Sequence, residues 1–243
     1  MKILVLPPET PNSMSKKNKL KKFADLLIYP NVYENYDPKY PRLLKNKDEE
    51  VDLKGKWASD HFHNAQPIIL ELACGRGEYT EALAEGYPDF NFIGVDIKGA
   101  RIWQGATSAL EKGLSNAGFL RTRIEQIALF FDACEIDGIW ITFPDPFLRE
   151  SKENKRLTST RFLDLYKKII RPGALLHLKT DDSTLYEFTL NTLSEYSGAK
   201  VIYHNHDIYS APFAFDELSY KTHYEKEHLA DGRKIKYVRF TIN

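Results

Sequence analysis

Two acidic residues and two glycines in the first half of the chain have the spacing of a ribose-binding unit. An apolar run, Pro67-Ile-Ile-Leu-Glu71, leads into a short turn that holds Gly75 and Gly77, and an amphipathic segment follows. A second apolar run ends at Asp96, roughly 20 residues beyond the glycines. The pattern predicts a strand, a glycine turn and a helix, in which the backbone approaches a ligand closely and the second acid accepts its ribose hydroxyls.

The composition of the turn favours S-adenosylmethionine over a dinucleotide. A dinucleotide needs a third glycine for its pyrophosphate, but Tyr79 and Thr80 stand where that glycine would fall. S-adenosylmethionine has no phosphate, and its sulfonium and ammonium cations suit a turn that begins with an acid such as Glu71. The two acids and the glycines resemble the nucleotide-binding half of Rossmann-like methyltransferases, and a purely structural turn is the alternative.

A second acid-bearing motif follows the predicted buried strand at 138–142. Asp145 stands between two prolines in Phe143-Pro-Asp-Pro-Phe147, so its backbone has little conformational freedom. In an open parallel sheet, ligands bind in the crevice beyond the carboxyl ends of the strands. A carboxylate there can hydrogen-bond to the edge of a base or offset a developing positive charge. Prolines can also build a rigid turn without chemistry, but they do not require an acid between them.

Further polar groups stand at other predicted strand ends, each with two interpretations. Glu125 can accept the adenine amino group or favour a helix N-terminus, and Asp181 can contact substrate or cap a helix. The run 149–156 has four cations and two acids, which suit either a solvated loop or a grip on a polyanion. The polar segment 220–232 can order a recognition loop.

These residues require a scaffold of alternating strands and helices, and 243 residues suit one α/β domain with an appendage. We expect the domain to span 57–243, preceded at 1–56 by a basic arm and an irregular covering segment. Residues 1–13 are interpreted as a leader or an optional extension. Further helices are predicted at 97–112, 158–170 and 183–196, and further strands at 119–124, 174–180, 201–206 and 236–241, the last two as an antiparallel pair at one edge.

The composition limits the class of protein. The 34 Lys and Arg residues balance the 34 Asp and Glu residues, so any nucleic-acid surface must arise from local clusters. One such cluster is the N-terminal set Lys16, Lys17, Lys19, Lys21 and Lys22, which is either a solvated terminus or an arm that grips phosphates. Two cysteines, no His/Cys cluster with metal-site spacing and no apolar run of membrane length favour a cytoplasmic protein without a metal site.

Several separated motifs, in order, resemble those of the bacterial tRNA (guanine-N7)-methyltransferases. They are the glycine turn, Phe143-Pro-Asp-Pro-Phe147, Lys155-Arg-Leu-Thr158, His177-Leu-Lys-Thr-Asp181 and Thr222-His-Tyr-Glu225 before Gly232. The resemblance implies a Rossmann-like α/β fold with a mostly parallel seven-stranded sheet, helices on both faces and an antiparallel edge strand. It also implies methyl transfer from S-adenosyl-L-methionine to N7 of a guanine in tRNA, the variable-loop guanosine m7G46.

The same resemblance implies roles for particular residues. Asp145 matches the catalytic acid. The positions matching cofactor contacts are Glu71, Gly75, Gly77, Asp96, Glu125 and Asp145. The positions matching substrate contacts are Arg149, Lys155, Arg156, Asp181, Thr222, His223, Tyr224 and Glu225. tRNA is the expected partner of a monomer or homodimer with no obligatory protein partner.

The chain departs from the family pattern near the substrate. Phe147 replaces the usual Trp, and Glu150, Ser151 and Glu153 interrupt a run that is usually denser in cations. Glu125 and Arg149 replace the commoner Asp and Lys. The changes at Phe147 and in the basic run concern RNA contact and not cofactor binding. The alternative functions are methyl transfer to a different substrate, a non-catalytic RNA-binding relative and, least favoured, an NAD enzyme.

Overall fold

The computed structural model of the chain describes residues 20–35 and 37–243. The predicted leader at 1–13 and three lysines of the basic arm, Lys16, Lys17 and Lys19, lie outside the described residues. Residues 20–26 are helical, and they pack against the helix that follows Asp96, where the Lys22 ammonium lies 4.6 Å from the ring centroid of Trp103.

One twisted sheet organises the described residues, and it contains ten strands in the order β3-β2-β1-β6-β5-β4-β7-β8-β10-β9. The strands are β1 Val32–Glu34, β2 Leu44–Lys45, β3 Glu49–Glu50, β4 Ile68–Leu72, β5 Asn91–Asp96, β6 Ala117–Arg121, β7 Ile136–Thr142, β8 Ile170–Thr180, β9 Ala199–Asn205 and β10 Lys236–Ile242. The six consecutive strands β1, β6, β5, β4, β7 and β8 are parallel to one another. Strand β10 runs antiparallel to both β8 and β9, as the sequence predicts for that edge.

Helices cover both faces of the sheet. After residues 20–26, the α-helices of the described ranges are α1 Glu78–Gly86, α2 Gly99–Glu111, α3 Thr160–Tyr166, α4 Ser183–Glu195 and α5 His223–Ala230. Short 3-10 turns lie at Ile124–Leu129, Glu150–Lys155 and Asp216–Ser219, and one π turn lies at Trp57–His61. Apolar residues of α1 and α2 join the core on one face, and those of α3 and α4 join the core on the other. Because both faces are covered, strands such as β5 are buried at every position.

The chain order of the strands creates a crevice at the middle of the sheet. From β4 the chain moves outward to β5 and β6, and it then crosses to β7 on the other side of β4. Loops after β4 and β7 therefore diverge at their carboxyl ends. This reversal point is where open α/β sheets bind their ligands.

The predicted fold class is confirmed, but the strand number of seven is wrong for the described residues. The segment predicted to be irregular contributes the three short strands β1, β2 and β3. Strand β1 pairs in parallel with the edge strand β6, and an ion pair of 2.7 Å joins Glu34 to Arg121. Pairing of this kind covers an edge that would otherwise expose unpaired backbone groups.

Two predicted elements are shorter or of another type. The predicted helix spans 158–170, but α3 ends at Tyr166 and β8 already begins at Ile170. Pro172 and Gly173 belong to the exposed first part of β8, beside a register shift in the pairing of β8 with β7, where a strand tolerates both residues. The predicted recognition loop at 220–232 contains α5. The Thr222 side chain caps that helix by accepting a hydrogen bond from the Glu225 amide at 3.1 Å.

No helix within the described ranges is long and apolar enough to cross a membrane.

Candidate active site

The glycine turn after β4 is built by close backbone packing. Gly77 has a φ of 73° and precedes the first residue of α1. A Cβ atom on Gly77 would lie 2.6 Å from the Phe119 ring and 3.1 Å from Cα of Gly105 in α2. At Gly75, by contrast, the nearest atom to such a Cβ would be the Ala73 carbonyl oxygen at 3.9 Å. The turn is therefore packed against the protein on one side and open on the other.

Glu71 holds the turn in place from beneath. One carboxylate oxygen accepts hydrogen bonds from the Thr80 amide at 2.8 Å and the Thr80 hydroxyl at 2.5 Å, and the other accepts from the Thr142 hydroxyl at 2.5 Å. Burial raises the pKa of Glu71 to about 7, against the opposing effect of these hydrogen bonds. The side chain does not line the neighbouring cavity, so the structure places this predicted cofactor contact behind the turn.

Asp96 joins the turn to the end of β5. Its two carboxylate oxygens accept hydrogen bonds from the Gly75 amide at 3.0 Å and the Lys98 amide at 2.7 Å. Each oxygen keeps a further lone pair, and the residue lines the cavity described next. This is the arrangement that the sequence predicts for a ribose-binding acid.

A cavity of about 470 Å³ lies beyond the carboxyl ends of β4, β5, β6 and β7. Its size falls within the range of roughly 300–1,000 Å³ that is usual for small-molecule sites. Each of these strand ends contributes one part of the wall, and the segment 155–162 completes it. The lining residues are Ala73 after β4; Asp96, Ile97, Lys98 and Arg101 at and after the end of β5; Thr122, Arg123, Ile124 and Glu125 after β6; Phe143, Pro144, Asp145 and Phe147 after β7; and Lys155, Leu157 and Phe162. The structure thus brings together Asp96, Glu125, Asp145 and Lys155 of the predicted site residues.

The cavity fits the cofactor that the sequence predicts. Ile97 is an apolar side chain that remains 48% exposed beside Asp96, and an adenine ring placed there would cover it. Glu125 is exposed on the same wall, at the start of the 3-10 turn Ile124–Leu129. The cavity therefore offers a hydrogen-bond acceptor for the amino group, an apolar wall for the ring and an acceptor for the ribose hydroxyls. These are groups that suit an adenosyl group.

The loop that carries Asp145 has an unusual backbone. Phe143 and Phe147 have φ angles of 47° and 43°, in the left-handed region that bulky residues rarely adopt. Between them, an Asp145 carboxylate oxygen accepts a hydrogen bond from the Phe147 amide at 3.0 Å and closes a local turn. Strained residues of this kind concentrate at functional sites, where the surrounding structure holds them in place.

Arg156 is the residue that holds this loop. The guanidinium, only 2% exposed, donates to the carbonyl oxygens of Pro146 at 3.0 Å and Phe147 at 3.2 Å, and it pairs with Glu153 at 2.8 Å. The guanidinium also stacks on the Phe188 ring, and the distance from the guanidinium carbon to the ring centroid is 4.4 Å. The sequence predicts a substrate contact here, but the buried side chain is already engaged by the protein. Arg149, by contrast, is exposed beyond the loop and does not line the cavity.

Asp181 lies outside the cavity at the end of β8. Its carboxylate pairs with Arg233 at 2.8 Å and lies 3.5 Å from His228 of α5. The cap of α4 is the next residue, Asp182, which accepts from the Leu185 amide at 2.7 Å. Of the two interpretations of Asp181, the helix cap is therefore wrong, and the substrate contact stays a prediction.

Helix α5 carries the remaining predicted substrate residues, and only part of the motif is accessible. The Glu225 carboxylate is buried, pairs with Lys179 at 2.8 Å and accepts from the Tyr209 hydroxyl at 2.8 Å. Thr222 is the buried helix cap. His223 and Tyr224 are half-buried, and the His223 amide donates to Glu78 at the start of α1 at 2.7 Å. Two of the four residues are thus available to a substrate.

Sequence reasoning missed several residues that build the site. Thr142 and Lys179 lie within strands and carry no local signal of the partners that they reach in the fold. Lys98 and Arg101 follow the predicted strand that ends at Asp96, and Arg123 lies near the end of the strand predicted at 119–124, so their positions could have identified them as cavity residues. No group of three or more metal-ligating side chains occurs in the part of the chain that the structure describes.

Known proteins resemble this chain over most of its length. Residues 65–238 match a family described as putative methyltransferase. The tRNA (guanine-N(7)-)-methyltransferase of Bacteroides thetaiotaomicron is 46% identical over 226 residues, which cover 93% of this chain and 86% of that protein. The enzyme of the same name from Christiangramia forsetii is 44% identical over 230 residues, covering 94% of this chain and 100% of its relative.

A solved structure supports the fold independently. The crystal structure of the 16S rRNA methyltransferase KamB aligns with a TM-score of 0.60 at 13% identity, covering 81% of this chain and 97% of that one. At this identity the likeness shows the fold alone. The sequence relatives show more, and they confirm the family that the motifs predict: the chain belongs to the tRNA (guanine-N7)-methyltransferases.

Proposed function

We propose that this protein transfers the methyl group of S-adenosyl-L-methionine to N7 of a guanine in tRNA. The observation that carries the proposal is that Asp96 and Asp145 line one cavity at the reversal point of the sheet. One acid suits a ribose and the other lies on a strained, rigid loop on the opposite side of β4. A cofactor and a base can therefore meet between them.

The cofactor side of the cavity acts by binding and orientation. When bound, S-adenosylmethionine supplies a methyl group on a cationic sulfonium. Asp96 would accept hydrogen bonds from the ribose hydroxyls, Glu125 would accept one from the adenine amino group, and Ile97 and Ile124 would supply apolar contacts to the adenine ring. Glu71 contributes indirectly, because its bonds to Thr80 and Thr142 fix the glycine turn against β7.

Asp145 orients the guanine and stabilises the charge that methylation creates. N7 has an in-plane lone pair and no proton, so the attack needs no strong base, and alignment supplies much of the catalysis. The Asp145 carboxylate accepts hydrogen bonds from the N–H edge of the guanine. As the methyl group arrives, the ring becomes positive, and a preorganised carboxylate lowers the energy of that state. Arg156 maintains the preorganisation by holding the carbonyl groups of Pro146 and Phe147.

The surroundings of the cavity bind RNA. Arg149 and Lys155 are cations that can hold phosphates, and His223 and Tyr224 lie on α5 beside the cavity. Residues 20–26 pack on α2, so the described part of the basic arm, with Lys21 and Lys22, lies against the helix that carries Arg101. The target is the variable-loop guanosine, which must leave its packing to reach Asp145. The protein acts in the cytoplasm as a monomer or homodimer without an obligatory protein partner.

The test is methyl transfer from labelled S-adenosylmethionine to unmodified bulk tRNA, followed by nucleoside analysis. We expect label in 7-methylguanosine. Label in another nucleoside would refute the assigned position of transfer. An absence of label in RNA, with the cofactor still bound in a titration, would contradict the assigned substrate and favour methyl transfer to a different one.

A further inference from the structure

Arg101 is a cation on the cavity wall that the steps above do not use. It lies in the first turn of α2, is half-buried and lines the cavity near Lys98. Within the described part of the chain, its guanidinium forms no ion pair and donates no hydrogen bond. An arginine that the fold holds at a cavity without a carboxylate partner is available to an anionic ligand.

The neighbour of Arg101 is an aromatic ring on another element. Its guanidinium carbon lies 5.8 Å from the centroid of the Tyr224 ring in α5. The start of α5 is fixed above the start of α1 by the bond from the His223 amide to Glu78. Contact with the ring occupies one face of the guanidinium and leaves its in-plane N–H groups free. The Arg101 side chain of α2 thus rests against the Tyr224 ring of α5, and its N–H donors remain available at the cavity.

We propose that Arg101 binds a backbone phosphate of the RNA beside the target guanine and so positions that base. This inference rests on the proposed function and names a phosphate contact for the same site. The planar fork of an arginine matches two phosphate oxygens. The cavity favours such an anion, because its lining has more cations than acids: Lys98, Arg101, Arg123 and Lys155 against Asp96, Glu125 and Asp145.

The chemistry of the reaction argues against a contact with the base itself. Arginine recognises guanine through paired hydrogen bonds to O6 and N7. Here N7 must stay open to receive the methyl group, so a guanidinium bound there would block the transfer. A phosphate contact leaves the reacting atom free.

The proposal is tested with Arg101→Gln and Arg101→Lys, measured against wild type in tRNA binding over a series of KCl concentrations and in cofactor binding by calorimetry. Arg171→Gln is the matched control, because Arg171 pairs with Asp137 at 3.3 Å near the amino ends of β7 and β8, away from the cavity. We expect Arg101→Gln to weaken tRNA binding about tenfold and to lower the slope of log affinity against log salt by about 0.9, the value for one lost phosphate contact.

The Arg101→Lys variant, the control and the cofactor titration distinguish a phosphate contact from the other possible roles of Arg101. Arg101→Lys keeps the charge, so the salt slope should stay near that of wild type while affinity falls through loss of the fork, and the control should match wild type. Weaker cofactor binding with unchanged tRNA binding would overturn the proposal and assign Arg101 to the cofactor carboxylate. An unchanged salt slope in Arg101→Gln would also overturn it. Failure of the wild-type protein to methylate tRNA would instead refute the proposed function.

Discussion

Glu71 and Asp145 are carboxylates near the ends of adjacent strands, and their surroundings give them different tasks. Glu71 is buried, and its oxygens accept hydrogen bonds from the amide and hydroxyl of Thr80 and from the hydroxyl of Thr142. Asp145 is exposed at the cavity and keeps an oxygen that no described donor occupies. Burial without a cation raises the pKa of Glu71 to about 7, which suits a positioning group.

The raised pKa predicts a pH-dependent stability. Because the folded pKa of about 7 exceeds the ordinary glutamate value of 4.5, the folded protein binds the proton more tightly than the unfolded chain does. The stability contributed by protonated Glu71 is therefore present at low pH and is lost as pH rises toward and through 7. Glu71→Gln is neutral at every pH. We expect the free energy of unfolding of wild type, relative to this variant, to fall by about 2–3 kcal/mol between about pH 5 and pH 8.

Urea unfolding of both proteins at the two pH values measures this difference. A relative stability that stays constant would show that Glu71 remains ionised throughout. Comparing the two proteins at each pH removes the contribution of all other titrating groups, provided that the substitution leaves their surroundings unchanged.

Asp145→Asn isolates the effect of charge at the position proposed to be catalytic. The asparagine oxygen can still accept from the Phe147 amide, so the local turn is retained. We expect the single-turnover methylation rate at saturating tRNA to fall about 10²-fold, because the positive ring loses its counter-charge, while cofactor affinity is unchanged. Asp89→Asn, at an exposed site before β5, is the control and should react like wild type. A full rate in Asp145→Asn would exclude the assigned role.

At the scale of elements, a buried ion pair attaches α5 to the sheet. The Lys179 ammonium donates to the carbonyl oxygens of Leu218 at 3.1 Å and Tyr220 at 2.8 Å, and it pairs with Glu225. Burial lowers the pKa of Lys179, against the raising effect of Glu225. These three contacts link the end of β8 to the segment 218–225, which carries Tyr224.

Removal of one partner should leave an unpaired charge in the interior. We expect Lys179→Met to lower the free energy of unfolding by about 3–5 kcal/mol, the usual result for a broken buried pair. The double variant Lys179→Met with Glu225→Leu should recover part of that loss, because no buried charge remains. Denaturant unfolding of the two single variants and the double variant measures the coupling. Additive losses would show that the two side chains do not stabilise each other.

The elements that could be predicted from the sequence are those with a local signal. Strands β4 and β5 follow from apolar runs beside the glycine turn, and Asp96 and Asp145 follow from their positions at strand ends. Strand β1 could not be predicted, because all three of its residues pair with β6, which is far along the chain. The burial of Arg156 and Glu225 could not be predicted either, because their partners come from other segments: the loop after β7 for Arg156 and strand β8 for Glu225.

At the scale of the whole molecule, a neutral chain has a locally charged site. Equal numbers of cationic and anionic residues give no overall field to attract RNA. The fold nevertheless gathers loops from four parallel strands around one cavity and places cations on its walls. Recognition of a polyanion here depends on the topology of the sheet more than on the composition of the chain.

The central claim is that this site methylates N7 of a guanine in tRNA. The most direct measurement compares two otherwise identical tRNA transcripts, one with guanosine and one with 7-deazaguanosine at the variable-loop target, each incubated with the protein and labelled S-adenosylmethionine. We expect label in 7-methylguanosine for the first transcript and none for the second, in which carbon replaces the reacting nitrogen. Equal labelling of both transcripts, or label recovered in a different nucleoside, would contradict it.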